Sequence, residues 1–297
     1  MKKSIALIFP LFILIMGCSH KDKNHDKNEK QINKTEKQLN ISVLIDLSDR
    51  IDPKTSPSSP SHYVRDISIV KTITKLFKET IKGQGAYRAK DKFQILFSPE
   101  PEDPNINTLA QKLKVDLSKL ENKDKKRTYN NIENDINTNL SQIYNTSIKA
   151  QKWIGSDIWR FFKNDVSNYC IEKEPYRNIL VIITDGYIYH EASKDKENNR
   201  YSYITADLFE KYKLRNNPNW KENIKKNNFG LITKRNDLKN LEVLVLEITP
   251  SKGYQDDEDI IKEILTKWFK EMGVQKLAIY NTALPANSEK LISNFLK

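Results

Sequence analysis

The chain has 297 residues, 50 basic and 39 acidic side chains and a formal charge of +11, with 38% hydrophobic and 9% aromatic residues. That balance supports a packed core and excludes wholesale disorder, while eight Gly and 11 Pro exclude a collagen-like or Pro-rich repeat. Two Cys exclude a disulfide framework and a Cys-rich zinc site, and four His, with His20 and His25 in a polar N-terminal stretch, argue against a multi-histidine metal centre.

Lys2 and Lys3 precede an apolar run over 5–16, closed by Gly17 and Cys18. The run falls short of the roughly 20 residues that a membrane-spanning helix needs. A basic start, an apolar run and a small residue read as an export signal over 1–17. The stretch Leu14-Ile15-Met16-Gly17-Cys18 resembles the lipobox of bacterial lipoproteins. The resemblance implies that Cys18 is lipidated and becomes the mature N-terminus, which places the chain in the bacterial cell envelope on a membrane anchor. An ordinary cleaved signal with an incidental Cys is the plainer alternative. Residues 18–40 alternate Lys, Asp, Glu, Asn and Gln and read as a solvated tether. Cys170 is then the only other thiol, and its apolar flanks suggest a buried, inert group. Loss of Lys2 and Lys3 takes the charge from +11 to +9. The basic residues are spread among acids and no nucleic-acid motif is visible, so nucleic acid is not the expected partner.

From residue 41 onward, strands are expected at 41–45, 92–97, 178–183, 241–248 and 275–280. The runs at 41–45, 179–183 and 243–248 are dense in Ile, Val and Leu on both faces, the pattern of central strands in a parallel sheet covered by helices. Helical spacing links Val64, Ile67, Val70, Ile73, Phe77 and Ile81, then Ile132, Ile136, Leu140, Ile143 and Ile148. Shorter helices are expected around 158–166, 260–269 and 288–296. Asp256 to Asp259 are four acids at the start of one of them, and read as complements to its dipole rather than as a calcium site. The alternation predicts a doubly wound, mostly parallel α/β domain over 41–297, with helical and loop insertions at 99–150 and 187–240.

In open parallel sheets, ligands bind beyond the carboxyl ends of the strands. Two central strands end there in acids: Asp46-Leu47-Ser48-Asp49-Arg50, and Thr184-Asp185-Gly186. Carboxylates on neighbouring strands repel unless a cation lies between them, and carboxylate and hydroxyl oxygens suit Mg²⁺ or Mn²⁺.

Asp46-x-Ser48, the strand-end Thr184-Asp185-Gly186 and the βα alternation resemble the von Willebrand factor A domain. That family's metal-ion-dependent adhesion site uses Asp-x-Ser-x-Ser, a distant Thr and a later Asp. The resemblance implies a doubly wound fold and metal ligands at Asp46, Ser48 and Asp185. Arg50 stands where the family has its second Ser. The distant Thr is matched best by Ser156 in Gly155-Ser156-Asp157, with Asp157 a further candidate ligand and Thr128 and Thr146 weaker ones. Arg50 could bridge Asp46 and Asp185 without a metal, or point away and leave Asp49 or Asp157 to complete the shell. Tyr187 and His190 follow Gly186 directly and are candidate rim residues.

Three functions from different classes fit. One is a lipid-anchored binding module whose protein partner supplies an acidic group to a bound Mg²⁺ or Mn²⁺, with no catalytic residue. The second is a Mg²⁺- or Mn²⁺-dependent hydrolase of phosphate or related esters, with His190 as the only nearby base. The third is a solute-binding lipoprotein, against which the single apparent sheet argues. The first is the main expectation.

Overall fold

The computed structural model describes residues 37–297. The export signal, Cys18 and nearly all of the expected tether lie outside the described residues. The first strand, β1 (Gln38–Ile45), starts three positions ahead of the boundary expected at 41, with Leu39 and Asn40 already buried.

The chain continues through a 3₁₀ turn (Asp49–Ile51), α1 (His62–Gln84), β2 (Lys92–Phe97), α2 (Pro104–Gln111), β3 (Lys114–Asp116) and α3 (Asn122–Ala150). Then α4 (Ile158–Arg160), a π-helical turn (Phe161–Asp165) and α5 (Val166–Cys170) run together into β4 (Tyr176–Ile183). The next stretch holds β5 (Lys196–Glu197), β6 (Arg200–Tyr201), α6 (Ala206–Lys211), α7 (Trp220–Lys226) and β7 (Gly230–Leu231). The chain closes with β8 (Leu241–Ile248), α8 (Asp257–Glu271), β9 (Lys276–Asn281) and α9 (Pro285–Leu296).

Six strands form one sheet in the order β3-β2-β1-β4-β8-β9, parallel except for the short edge strand β3. The order grows outward from β1 on one side, then returns to its other side at β4. The β1/β4 boundary is therefore the topological switch point. All five expected strands are present, and the expected helices at 132–148, 158–166, 260–269 and 288–296 are found within α3, α4–α5, α8 and α9. The insertion at 99–150 holds α2 and β3 as well as the long α3. The insertion at 187–240 holds a small three-stranded sheet, β5-β6-β7.

Alternation along the central strands divides the core between two faces. Ile41, Val43, Ile45, Ile179, Val181 and Ile183 pack with α1, α3 and α9. Leu44, Leu180, Ile182, Val243 and Val245 pack with the α4–α5 segment and α8. Cys170 ends α5 as a free, buried thiol, and burial pushes it up to about 12, which leaves it the inert group that its flanks suggested.

In α1 the buried stripe is His62, Arg65, Asp66, Ile69, Val70, Ile73, Thr74, Phe77 and Ile81. Val64, expected on the apolar face, is 41% exposed. The first turn of α1 thus buries charge instead of apolar surface. Arg65 donates to Glu247 Oε2 at 2.7 Å and to His62 Nδ1 at 2.8 Å, and Thr282 Oγ1 donates to the same Glu247 oxygen at 2.8 Å. Glu247 lies at φ +74, within the register shift between Val245 and Ile248 of β8. This conformation is costly for a side chain with a Cβ, and here it turns a carboxylate inward to tie β8 and β9 to α1. Burial, then the charges of Arg50 and Arg65, push His62 down to about 4, so it serves as a neutral acceptor.

Candidate functional site

The ladder between β1 and β4 runs to Ile45 and Ile183, and Asp46 N extends it by donating to Ile183 O at 3.0 Å. Both strand-end acids therefore leave the sheet at its switch point. Asp46 is buried. Its Oδ1 accepts from Ser48 N at 2.9 Å, and its Oδ2 accepts from Thr184 Oγ1 at 2.8 Å. Thr184 Oγ1 in turn accepts from Gly186 N at 3.1 Å. One carboxylate thus ties the first strand-end turn to the second, and Thr184 proves to be part of the site although sequence reasoning gave it no role of its own.

Asp185 is partly exposed and its Oδ1 accepts from Tyr187 N at 3.0 Å. Its enclosure by protein, followed by repulsion from Asp46, pushes its carboxyl up to about 7, and the positive Arg50 offsets only part of this. A carboxyl that resists ionisation beside another acid is the electrostatic signature of a place for a cation or a proton.

Gly186 makes this turn possible. It lies at φ +95, and an added Cβ would meet Ile261 Cγ2 at 2.5 Å and Ile248 Cδ1 at 2.9 Å. Gly186→Ala is expected to cost about 2–3 kcal/mol in urea-unfolding experiments, from the disfavoured backbone and the overpacked contact with α8.

Arg50 does not bridge the two strand-end carboxylates. It is buried against Asp66 of α1 in a two-pronged pair at 2.8 and 3.1 Å, and Tyr144 of α3 donates to the same Asp66 at 2.8 Å. Arg50 also donates to the backbone oxygen of Asp46 at 3.3 Å. Burial works against its charge, but Asp66, with Asp46 and Asp185 behind it, more than offsets that and raises its affinity for the proton. Arg50 therefore braces the Asp46 turn from below. The signal for Asp66 was present in the sequence: it falls on the buried stripe of α1, three residues before Ile69 and seven before Ile73.

Asp157 is also committed elsewhere. It caps the helix that begins at Ile158 by accepting from Arg160 N at 3.2 Å, and it accepts from Arg160 Nε at 3.0 Å and Ser193 Oγ at 2.5 Å. His190 Nδ1 lies 3.3 Å from Asp157 Oδ2, without the alignment of a hydrogen bond. His190 is thus turned to Asp157 rather than to the strand-end acids. Tyr187 is drawn away as well: its hydroxyl donates to Asp257 Oδ2 at 2.5 Å and accepts from Ser251 Oγ at 2.7 Å. Asp257, from the acidic run at the start of α8, is fully buried and held by two Arg215 contacts at 2.8 and 2.6 Å. It is an ion-paired brace, not merely a solvated complement to the helix dipole.

Ser156 remains available. It is buried, its backbone donates to Tyr189 O at 2.8 Å, and its hydroxyl has no hydrogen-bond partner among the described residues. Gly155, at φ +85, allows the close approach, because a Cβ there would fall 2.2 Å from Tyr189 O. No hydrogen bond joins Ser156 to Asp46 or Asp185. The loops carrying Asp46 and Ser156 meet at a cleft whose lining includes Leu47 and Gly155.

Among the described residues, no group of three or more His, Cys, Asp or Glu side chains is arranged to hold a metal ion. The candidate set is of a different kind: the carboxylates of Asp46 and Asp185 at the switch point, the hydroxyl of Ser48 two residues after Asp46, and the hydroxyl of Ser156 in the loop before α4. With water completing the shell, it suits a hard divalent cation, and the unpartnered Ser156 hydroxyl and the resisting Asp185 carboxyl both fit that use. Among the described residues, no helix is long and apolar enough to cross a membrane. No family model matches the chain, and no curated protein or solved structure matches it.

Proposed function

We propose that this chain is a lipid-anchored cell-envelope protein whose folded part is a von Willebrand factor A-like binding module. In this reading it holds a partner protein through a divalent cation. The observation that supports it most is the placement of Asp46 and Asp185 on the two strands that border the switch point, with Asp185 resisting its charge. Asp46, Ser48, Asp185 and Ser156 would hold Mg²⁺ or Mn²⁺, whose open positions would take an acidic group from the partner. Arg50 positions the Asp46 turn through Asp66 and does not compete for the cation. Binding rather than catalysis is favoured because His190, the one nearby base, is turned to Asp157.

A ligand that binds only the folded state adds about 2.7 kcal/mol of stability at a hundred times its Kd. Saturating Mn²⁺ should therefore raise the melting temperature of the wild type and leave Asp46→Ala unchanged. A folded wild type with the same melting temperature in Mn²⁺, in Mg²⁺ and in chelator would refute the cation-dependent reading. The anchor is tested separately: Cys18→Ala should move the protein from the membrane fraction to the soluble fraction.

A further inference from the structure

The described chain enters the sheet at the edge opposite the strand-end acids. β1 begins there at Gln38, with the starts of β2 and β4 on either side, Lys92 opposite Asn40 and Tyr176 opposite Gln38. The turn from α1 into β2 is pinned to this edge. Lys125, buried in the first turn of α3, donates to Tyr87 O at 3.0 Å and to Ala89 O at 2.7 Å. Lys90 N donates to Gln38 Oε1 at 2.6 Å, and the Tyr176 hydroxyl donates to Lys90 O at 3.0 Å. Exposed basic side chains crowd this turn and its neighbours: Lys82, Arg88, Lys90, Lys123, Lys126 and Lys173. Tyr87, 56% exposed, stands among them. Most acids around the starts of β1, β2 and β4 are already engaged. Asp116 pairs with Lys92 and Lys119, Glu172 with Lys92, Glu174 with Lys37, and Asp124 with Arg127. Asp91 is buried and accepts from Leu39 N at 2.6 Å. Glu121, and Glu79 one turn up α1, are exposed and offset the patch only in part. The opposite edge leans the other way. The loop at 98–103 carries Glu100, Glu102 and Asp103 without a basic residue, and four consecutive acids stand at 256–259, of which Asp257 is paired with Arg215. Lys54, Lys152 and Lys252 are exposed there and leave the balance acidic.

Resting on the lipid-anchor reading above, we propose that the edge around Arg88 and Lys90 seats on the membrane that holds the anchor, by binding the headgroups of anionic phospholipids. The occupant follows from where the remaining chain joins the fold. A solvated tether of about 20 residues, from Cys18 to the start of β1, spans about 25 Å, so this edge is the part of the fold held nearest the bilayer. Each basic side chain brought to an anionic surface strengthens binding about fivefold, and an exposed Tyr suits the headgroup level. The acidic loops of the opposite edge are repelled by the same surface. The docked domain therefore turns the strand-end acids away from the lipid, where a partner can reach them.

The test is lysine acetylation read by mass spectrometry on the full-length protein, as exported and processed, with vesicles of phosphatidylcholine alone or of phosphatidylcholine mixed with phosphatidylglycerol. Lys82, Lys90, Lys123, Lys126 and Lys173 should react about fivefold more slowly on the anionic vesicles than on the neutral ones, while Lys54, Lys152 and Lys252 react equally fast on both. High salt should restore the slowed rates. In Arg88→Gln/Lys90→Gln/Lys123→Gln, the protection of Lys82, Lys126 and Lys173 should be lost, whereas Lys54→Gln/Lys152→Gln should keep it, which separates the patch from net charge. Equal rates at the basic edge on both vesicles, or slowing at both edges alike, in a protein that floats with neutral vesicles, overturns the docking face and leaves the anchor standing. A protein that leaves neutral vesicles, yet shows the salt-sensitive protection at the basic edge on anionic ones, upholds the face and overturns the anchor instead. A protein that binds neither vesicle overturns both.

Discussion

Replacing Asp185 by Asn should stabilise the metal-free protein at pH 8 and remove its response to divalent cations. The sign follows from the raised carboxyl. Asp185 titrates near 3.8 in an unfolded chain and is pushed up to about 7 in the fold by enclosure and by Asp46. Between those values the folded state holds a proton that the unfolded state has released, so stability falls as pH rises through this window and levels off above it. Each pH unit of that difference corresponds to about 1.4 kcal/mol. Solvent access to Asp185 and its sharing of charge with Asp46 reduce the full figure, and about 2 kcal/mol is expected at pH 8. For a domain of this size that is a rise of about 4–8 °C in melting temperature. At pH 3, where wild-type Asp185 is protonated in both states, the gain should vanish. Asn retains an oxygen to accept from Tyr187 N, so the comparison isolates the charge. An unchanged melting temperature at both pH values would mean that the acids at the switch point do not repel, and the case for a cation between them would weaken accordingly. A stabilising loss of function is the usual mark of a site whose charges serve binding rather than folding.

Asp66→Ala should act in the opposite direction and more strongly. It would leave the Arg50 guanidinium buried without its carboxylate and strip Tyr144 of its acceptor. Breaking one side of a buried pair costs about 3–5 kcal/mol, because the remaining charge is stranded in a poor solvent. The double variant Arg50→Met/Asp66→Leu should recover part of that loss, since it removes the stranded charge and leaves only the Tyr144 hydroxyl without its acceptor. Urea unfolding of the three proteins checks both statements. A loss below about 1 kcal/mol for Asp66→Ala would show that water reaches the pair. The larger loss would establish Arg50 as a structural brace of the Asp46 turn.

Strand positions were legible because β1, β4 and β8 are buried on both faces and read as runs dense in Ile, Val and Leu. The strand-end acids were legible for the same reason, since each ends such a run. The first turn of α1 was not: His62, Arg65 and Asp66 are buried by mutual pairing, so a search for apolar periodicity placed Val64 on the inner face. The short β3, β5, β6 and β7 carry two or three residues each, too few for a period to show. The role of Arg50 depended on a partner 16 residues away, and Asp157 and Tyr187 were drawn off by Arg160, Ser193 and Asp257. Local spacing shows which residues reach the strand ends. It does not show which of them other side chains have already engaged.

In this reading the Asp46 and Asp185 carboxylates share one divalent cation. Calorimetric titration of the wild type with Mn²⁺, beside Asp46→Ala and Asp185→Ala, tests it most directly. One saturable site per chain is expected in the wild type and none in either variant, with all three proteins folded by circular dichroism. A folded wild type that binds neither Mn²⁺ nor Mg²⁺, or variants that bind as the wild type does, would contradict it.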